Sequence, residues 1–132
     1  MAIDSSAALV ILLGEAEDDA FATAIDADPR RLMSAVSVLE TSIVVESRKG
    51  PAGGRELDLF LHRGRIDVVA FNAHQLELAR AAYRRFGKGH HAAALNFGDC
   101  CAYALAASSG ASLLFKDDDF GRTDIPAVIP PG

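Results

Sequence analysis

The feature that most limits how this chain can fold is a helix with almost no polar side, Leu95-Asn96-Phe97-Gly98-Asp99-Cys100-Cys101-Ala102-Tyr103-Ala104-Leu105-Ala106. Asn96 suits the N-cap, which puts Asp99 at the third helical position, and the residues that follow are mostly apolar. Such a helix is buried, with one carboxylate at its mouth. The stretch from Ala7 to Leu13 reads the same way, apolar on every side and stopped by Gly14.

Short strands separate the helices. Met1 to Asp4 reads as a very short strand ending on an acid, Ile66 to Phe71 as a strand with β-branched residues, and Ala111 to Phe115 as the next, with Asp117, Asp118 and Asp119 just beyond its carboxyl end. Helical spacing predicts helices over Glu15 to Ala27, Ser34 to Arg48, Arg55 to His62 and Ala73 to Phe86. In the helix from Ser34, the positions Val36, Leu39, Ile43 and Val44 define an apolar stripe that contains Glu40. Lys49 to Gly54 is the clearest loop, Gly87 to His91 a mobile connection, and Ile125, Val128 and Ile129 are placed to add an edge strand. Strands alternating with helices imply a parallel sheet covered on both faces. Ligands bind such sheets outside the carboxyl ends of the strands, where strand order reverses. Asp4 and the 117 to 119 cluster occupy that kind of position.

The length of 132 residues fits one domain, 1–132, without internal repeats. Thirteen basic residues against 18 acidic ones give a net charge of −5. That excludes a protein that holds nucleic acid by overall charge alone; a nucleic-acid substrate needs a local basic patch or bridging cations. Cys100 and Cys101 are adjacent on a helix, where side chains diverge, so they read as core packing in a reducing compartment rather than as a disulfide. No apolar run is long enough to span a bilayer, and a cytoplasmic protein with no membrane partner is expected.

Each acid has an ordinary explanation taken alone. Asp4 can cap the helix after it, Asp99 can close a capping box with Asn96, and the triplet can be a solvated turn. Glu40 resists this, because it sits inside an apolar stripe. If Asp4, Glu40, Asp99 and one acid of the triplet share a pocket, their repulsion raises their pKa values unless a cation neutralises them. Carboxylates are hard oxygen donors, so the expected cation is Mg²⁺, or Mn²⁺. Such ions activate water and withdraw charge from a phosphoryl oxygen, which points to phosphodiester hydrolysis.

The order of these blocks resembles the PIN-domain ribonucleases, and among them the VapC toxins of bacterial VapBC toxin–antitoxin pairs. Ile3-Asp4-Ser5-Ser6-Ala7 is similar to the family's I-D-x-S-A, Leu39-Glu40 to its second acid, and residues 95–106 to its L-N-F-G-D-x-x-x-Y-A-L-A. Leu113 to Lys116, Asp118-Asp119-Phe120 and Thr123-Asp124-Ile125 match its closing motif L-L-F-K-G-x-D-F-x-x-T-D-I. The resemblance implies a three-layer α/β/α sandwich around a short, mainly parallel sheet. It also implies that Asp4, Glu40 and Asp99 are metal-binding acids supported by the Ser6 hydroxyl. The fourth acid is Asp117 by the wider family's spacing, with Asp119 the second choice because this branch often has Gly at the position of Asp117.

Further expectations follow from the resemblance: cleavage of a structured cellular RNA such as tRNA or rRNA to leave 5′-phosphates, a cognate VapB antitoxin lying over the site, and a homodimer or toxin–antitoxin hetero-oligomer. The helices from Glu15 and Ser34 are placed to offer a groove to a partner's amphipathic segment. From Arg80 to His91 the chain carries Arg80, Arg84, Arg85 and Lys88 with His90 and His91 and no acid, either a solvated face or a rim that holds RNA phosphates. His91 matches a family histidine. Tyr103 reads as a core aromatic rather than a platform for a base. Two other classes compete: a catalytically silent partner-binding scaffold in an autorepressing DNA-bound complex, and a phosphoacceptor receiver domain, to which Lys116 beside Asp117 is a weak match.

Overall fold

The computed structural model describes residues 1–116 and 118–132. Among them, strands β1 (Ala2–Ile3), β2 (Leu32–Ser34), β3 (Asp67–Val69) and β4 (Leu113–Leu114) form one sheet in the order β3-β2-β1-β4, with every pairing parallel. The helices are α1 (Ser5–Leu12), α2 (Asp18–Ala27), α3 (Ala35–Lys49), α4 (Pro51–Arg63), α5 (Ala73–Phe86) and α6 (Phe97–Ser109), and a 3₁₀ segment spans Asp118–Arg122.

Alternation along the strands divides the core in two. Ala2, Leu32 and Leu113, aligned across the sheet, pack with Ala79 and Phe86 of α5 and Leu105 of α6. Their neighbours Ile3, Met33 and Leu114 pack on the other face with Val10, Ile25, Val45 and Leu57 from α1 to α4. The result is a three-layer α/β/α sandwich, as the resemblance implied. The chain steps outward from β1 to β2 and β3, then returns to the other side of β1 for β4. Strand order therefore reverses between β1 and β4, and Asp4 leaves β1 at that point, its N–H donating to the Leu114 carbonyl at 2.9 Å.

The sequence reading missed β2, whose three residues are too few to show a period. Instead of starting at Arg55, α4 starts at Pro51, so most of the expected Lys49 to Gly54 loop is helical. Gly50, at φ 65°, makes the whole turn between α3 and α4. Gly53 lies inside the helix because α3 passes directly over it: a Cβ there would meet the Val45 carbonyl oxygen at 2.3 Å. The stripe read on α3 is not the core face. Its fully buried positions are Ser37, Thr41 and Val45, while Leu39 and Ile43 are each about 60% exposed (60% and 61%). Gly53 allows the close approach of α4, and the buried Thr41 hydroxyl is satisfied by the Ser37 carbonyl at 2.8 Å. At the other edge of the sheet, the tail makes a single parallel bridge, Ala127 to Leu113, rather than a full strand.

Candidate active site

Asp4 is the N-cap of α1: its Oδ2 accepts the Ser6 N–H at 3.0 Å, and the residue is only 3% exposed. The two serines after it reach in different directions. The Ser5 side chain lies within hydrogen-bonding range of the Glu40 carboxylate on α3. Ser6 Oγ accepts the Lys116 N–H at 3.0 Å, fixing the chain that leaves β4 immediately before Asp117.

Asp99 closes the capping box of α6. Asn96 Oδ1 accepts the Asp99 N–H at 2.9 Å, and Asp99 Oδ2 accepts the Asn96 N–H at 3.0 Å. Glu40 lies over the same helix end. A Cβ on Gly98 would fall 2.6 Å from the Glu40 Cδ, so only the missing side chain admits the carboxylate. Glu40 therefore touches both the residue after Asp4 and the residue before Asp99, and three segments spread over most of the chain meet at one end of the sheet.

The electrostatics record this meeting. Burial first, and the Asp99 carboxylate second, push the Glu40 carboxyl above its ordinary value, with the Ser5 contact partly offsetting them. Glu40 Oε1 is buried and has no hydrogen-bond partner among the described residues. Burial raises both neighbouring thiols to about 11, Cys100 feeling Asp99 in addition and Cys101 feeling Cys100 and Glu40. Both stay protonated and serve as packing. Two close carboxylates, one with a buried oxygen lacking a donor, and Asp4 a residue from Ser5 make an oxygen-only set that suits a hard divalent cation. Among the described residues no three acids, histidines or cysteines stand as a complete metal-ligand group. Asp117, preferred by spacing as the fourth acid, lies outside those residues, and Asp119 is half-buried in the 3₁₀ segment.

The basic stretch divides. Arg80 makes an exposed ion pair with Glu77 at 3.5 Å, and Arg84 lines a groove between α5 and α6. Arg85 is engaged elsewhere, 3.3 Å from Asp124 and stacked over the Phe86 ring. His91 Nδ1 accepts the Ala93 N–H at 2.9 Å while its ring meets Phe86 edge-on, and Tyr83 donates to the Lys88 carbonyl. The connection read as mobile is thus tied by several contacts, including Lys88 N–H to Leu95 carbonyl at 2.9 Å. Tyr103 is core, 7% exposed, and donates to Asp124 Oδ1 at 2.6 Å. Lys116 pairs with Glu15 at 3.1 Å and Glu17 at 3.6 Å. Sequence reasoning missed Ser5 and Gly98, whose positions depend on contacts between distant segments.

The chain and its fold are similar to known proteins. The model of the PIN domain family matches residues 1–126. VapC ribonuclease Mb0640 of Mycobacterium bovis is 53% identical over 131 residues, covering 99% of this chain and 100% of that one. Ribonuclease VapC of Mycolicibacterium smegmatis is 54% identical over 128 residues, covering 97% of this chain and 99% of that one. Among solved structures, VapC20 of Mycobacterium tuberculosis, described as a sarcin–ricin-loop-cleaving toxin, superposes with a TM-score of 0.79 at 17% identity, covering 98% of each chain. VapBC2 of Rickettsia felis, bound to a DNA fragment from its promoter, gives a TM-score of 0.76 at 13% identity, covering 96% of this chain and 94% of that one. No helix among the described residues is long and apolar enough to cross a membrane.

Proposed function

We propose that this chain, which belongs to the PIN-domain family and within it to the VapC ribonucleases, is the toxin of a VapBC pair and hydrolyses phosphodiester bonds of a structured cellular RNA, tRNA or rRNA, with Mg²⁺ or Mn²⁺ held by its acids. The observation that carries the reading is the convergence of Glu40 and Asp99 at the head of α6, beside the strand end that bears Asp4. A scaffold without chemistry gains nothing from like charges placed there, which counts against the catalytically silent alternative. Family membership displaces the receiver-domain alternative.

Asp4, Glu40 and Asp99, with Asp117 or Asp119 as the fourth acid, would hold the divalent ion. When bound, it supplies Lewis-acid polarisation of the phosphoryl oxygen and a lowered pKa for attacking water. The protein's own part is positioning. Glu40 Oε1, buried and without a donor among the described residues, is placed to accept a hydrogen from that water and orient it. Ser5 steadies Glu40, and Ser6 anchors the chain at Lys116. Arg80, Arg84 and Lys88 would hold flanking phosphates; Arg85 and His91 would join them only by giving up present contacts.

The relatives' names and the VapBC2 complex support a VapB antitoxin as partner, within a homodimer or hetero-oligomer that binds its own promoter. The reading places the protein in the cytoplasm. Brief induction followed by mapping of RNA ends tests activity and target together. New 5′-phosphate ends at discrete sites in tRNA or rRNA are expected, reproduced by purified protein with Mg²⁺ and absent in excess chelator. Cleavage that persists in chelator defeats the reading.

A further inference from the structure

The chain that leaves β4 is tied at both ends to elements that bear acids of the site. At its near end the Asp4 N–H donates to the Leu114 carbonyl at 2.9 Å, and the Lys116 N–H donates at 3.0 Å to Oγ of Ser6, two residues past Asp4. At its far end the Tyr103 hydroxyl donates to Asp124 Oδ1 at 2.6 Å. Tyr103 follows Asp99 by four residues on α6, one turn into the helix whose head holds that acid. The segment from Lys116 to Asp124 thus runs from the element bearing Asp4 to the element bearing Asp99, and it carries Asp119. Beyond it the chain returns to its start: the Leu113 N–H donates to the Pro126 carbonyl and the Val128 N–H to the Leu113 carbonyl, each at 2.9 Å.

The middle of the segment is held by packing. Phe120 is 1% exposed, in the same core cluster as Tyr103 and Leu105, with its ring centroid 5.1 Å from that of Phe115. Apolar packing is non-directional and leaves the segment able to slide along α6, whereas an O–H···O hydrogen bond fixes both distance and direction. A phenylalanine at position 103 would fill the same space, so the core does not account for the hydroxyl. Its acceptor is held from other sides as well. Arg85 on α5 lies 3.3 Å from Asp124 Oδ2, and the Thr123 N–H and hydroxyl close the turn before it by donating to the Phe120 carbonyl at 3.1 and 2.7 Å. We infer that Tyr103 is a positioning residue for the site: its hydroxyl fixes Asp124, and through Asp124 the acid-bearing segment, in register with Asp99 on the same helix. This rests on the ribonuclease reading and adds what it lacks, the contact that sets the fourth acid against the others.

The test measures Mn²⁺ binding to the full chain without RNA, by the electron paramagnetic resonance of free Mn²⁺, and RNA cleavage kinetics with Mg²⁺. Tyr103→Phe keeps the ring and so leaves the fold standing. It is expected to weaken Mn²⁺ binding about 10-fold and lower kcat about 10- to 100-fold, with KM for RNA within about twofold of the parent, the pattern of a lost outer contact to a metal-holding group. Asp124→Asn keeps an oxygen for the hydroxyl and should stay nearer the parent than Tyr103→Phe in both measurements. Ile25→Val, which trims the core on the opposite face of the sheet, lowers stability comparably and should change neither. Parental Mn²⁺ affinity and kcat in Tyr103→Phe overturn the positioning role. So do equal losses in Ile25→Val at a matched drop in melting temperature, which reduce the contact to a fold staple. A parent that shows the Mn²⁺ deficit in Tyr103→Phe but cleaves no RNA defeats the ribonuclease reading and leaves the positioning role standing. A parent that binds no Mn²⁺ overturns both.

Discussion

Gly98→Ala separates the chemistry from the fold. The added Cβ would lie 2.2 Å from Glu40 Oε2 and 2.5 Å from Oε1, where ordinary contact begins at 3.4 Å, so the carboxylate must retreat by about 1.2 Å. Glu40 ends a flexible side chain, and the retreat therefore costs at the low end of the roughly 1–3 kcal/mol typical of overpacking. Replacing Gly by Ala within a helix returns up to about 1 kcal/mol. Net stability should shift by no more than about 2 kcal/mol in either direction. Activity should fall much further, because displacing a reacting group by about 1 Å costs on the order of 100-fold. The assay is cleavage of a fluorophore–quencher RNA by parent and variant at matched protein, with thermal unfolding alongside. The loss should appear mainly in kcat, since phosphate-holding residues elsewhere are untouched. Glu40→Asp, one methylene shorter, should recover part of it in the Gly98→Ala background. Cleavage by Gly98→Ala within threefold of the parent, at unchanged stability, would refute the placement of Glu40 in the chemistry.

Two further perturbations follow from the ionisable groups. Glu40 has a folded pKa above its unfolded value of 4.5. The fold therefore binds more protons between those values, and stability falls as pH rises through that window and stays lower above it. Glu40→Gln should thus raise the melting temperature at pH 7 in chelator, while Mg²⁺ stabilises the parent more, by about 2.7 kcal/mol at a hundredfold excess over Kd; a variant that melts at or below the parent in chelator contradicts this. Tyr103→Phe removes the 2.6 Å hydrogen bond that, first among several causes, holds Asp124 below its usual 3.8. Because the Asp124 side chain is 51% exposed, the loss at pH 7 should be modest, about 1 kcal/mol. Asp124's contribution is complete above 3.8 and is lost as pH falls through the lowered value, so thermal unfolding should show the gap between parent and variant narrowing as pH falls below 3.8. A gap that persists there would sink the argument.

Where end signals and packing agree, the sequence was legible. The bounds Ala73–Phe86 of α5 match, because Asn72 caps one end and Gly87 follows the other. For α6 the capping box read from Asn96 and Asp99 forms as expected. The reading failed where tertiary contact overrides local pattern. Hydrophobic spacing on α3 pointed to Leu39 and Ile43, yet the buried positions are Ser37, Thr41 and Val45, and α4 packs close enough to need Gly53 opposite Val45. Strand β2 was invisible because its pairing partners lie about 30 residues away on either side and its own three residues carry no alternation to count. At the site, acids announce themselves by type and position. The roles of Ser5 and Gly98 arise only when α1, α3 and α6 converge, and nothing local distinguishes them. Asp117, which the spacing favoured, lies outside the described residues, and the choice between it and Asp119 rests on the resemblance alone.

The central claim is that carboxylates from separate segments act together on RNA through a divalent ion, and Asp99→Asn isolates it. Asparagine keeps a side-chain oxygen able to accept the Asn96 N–H, so the capping box at the head of α6 survives while the charge is lost. With Mg²⁺ present and unfolding confirming an intact fold, the account predicts that Asp99→Asn leaves RNA uncut under conditions where the parent cleaves to completion. Cleavage by that folded variant at the parent's rate would contradict it.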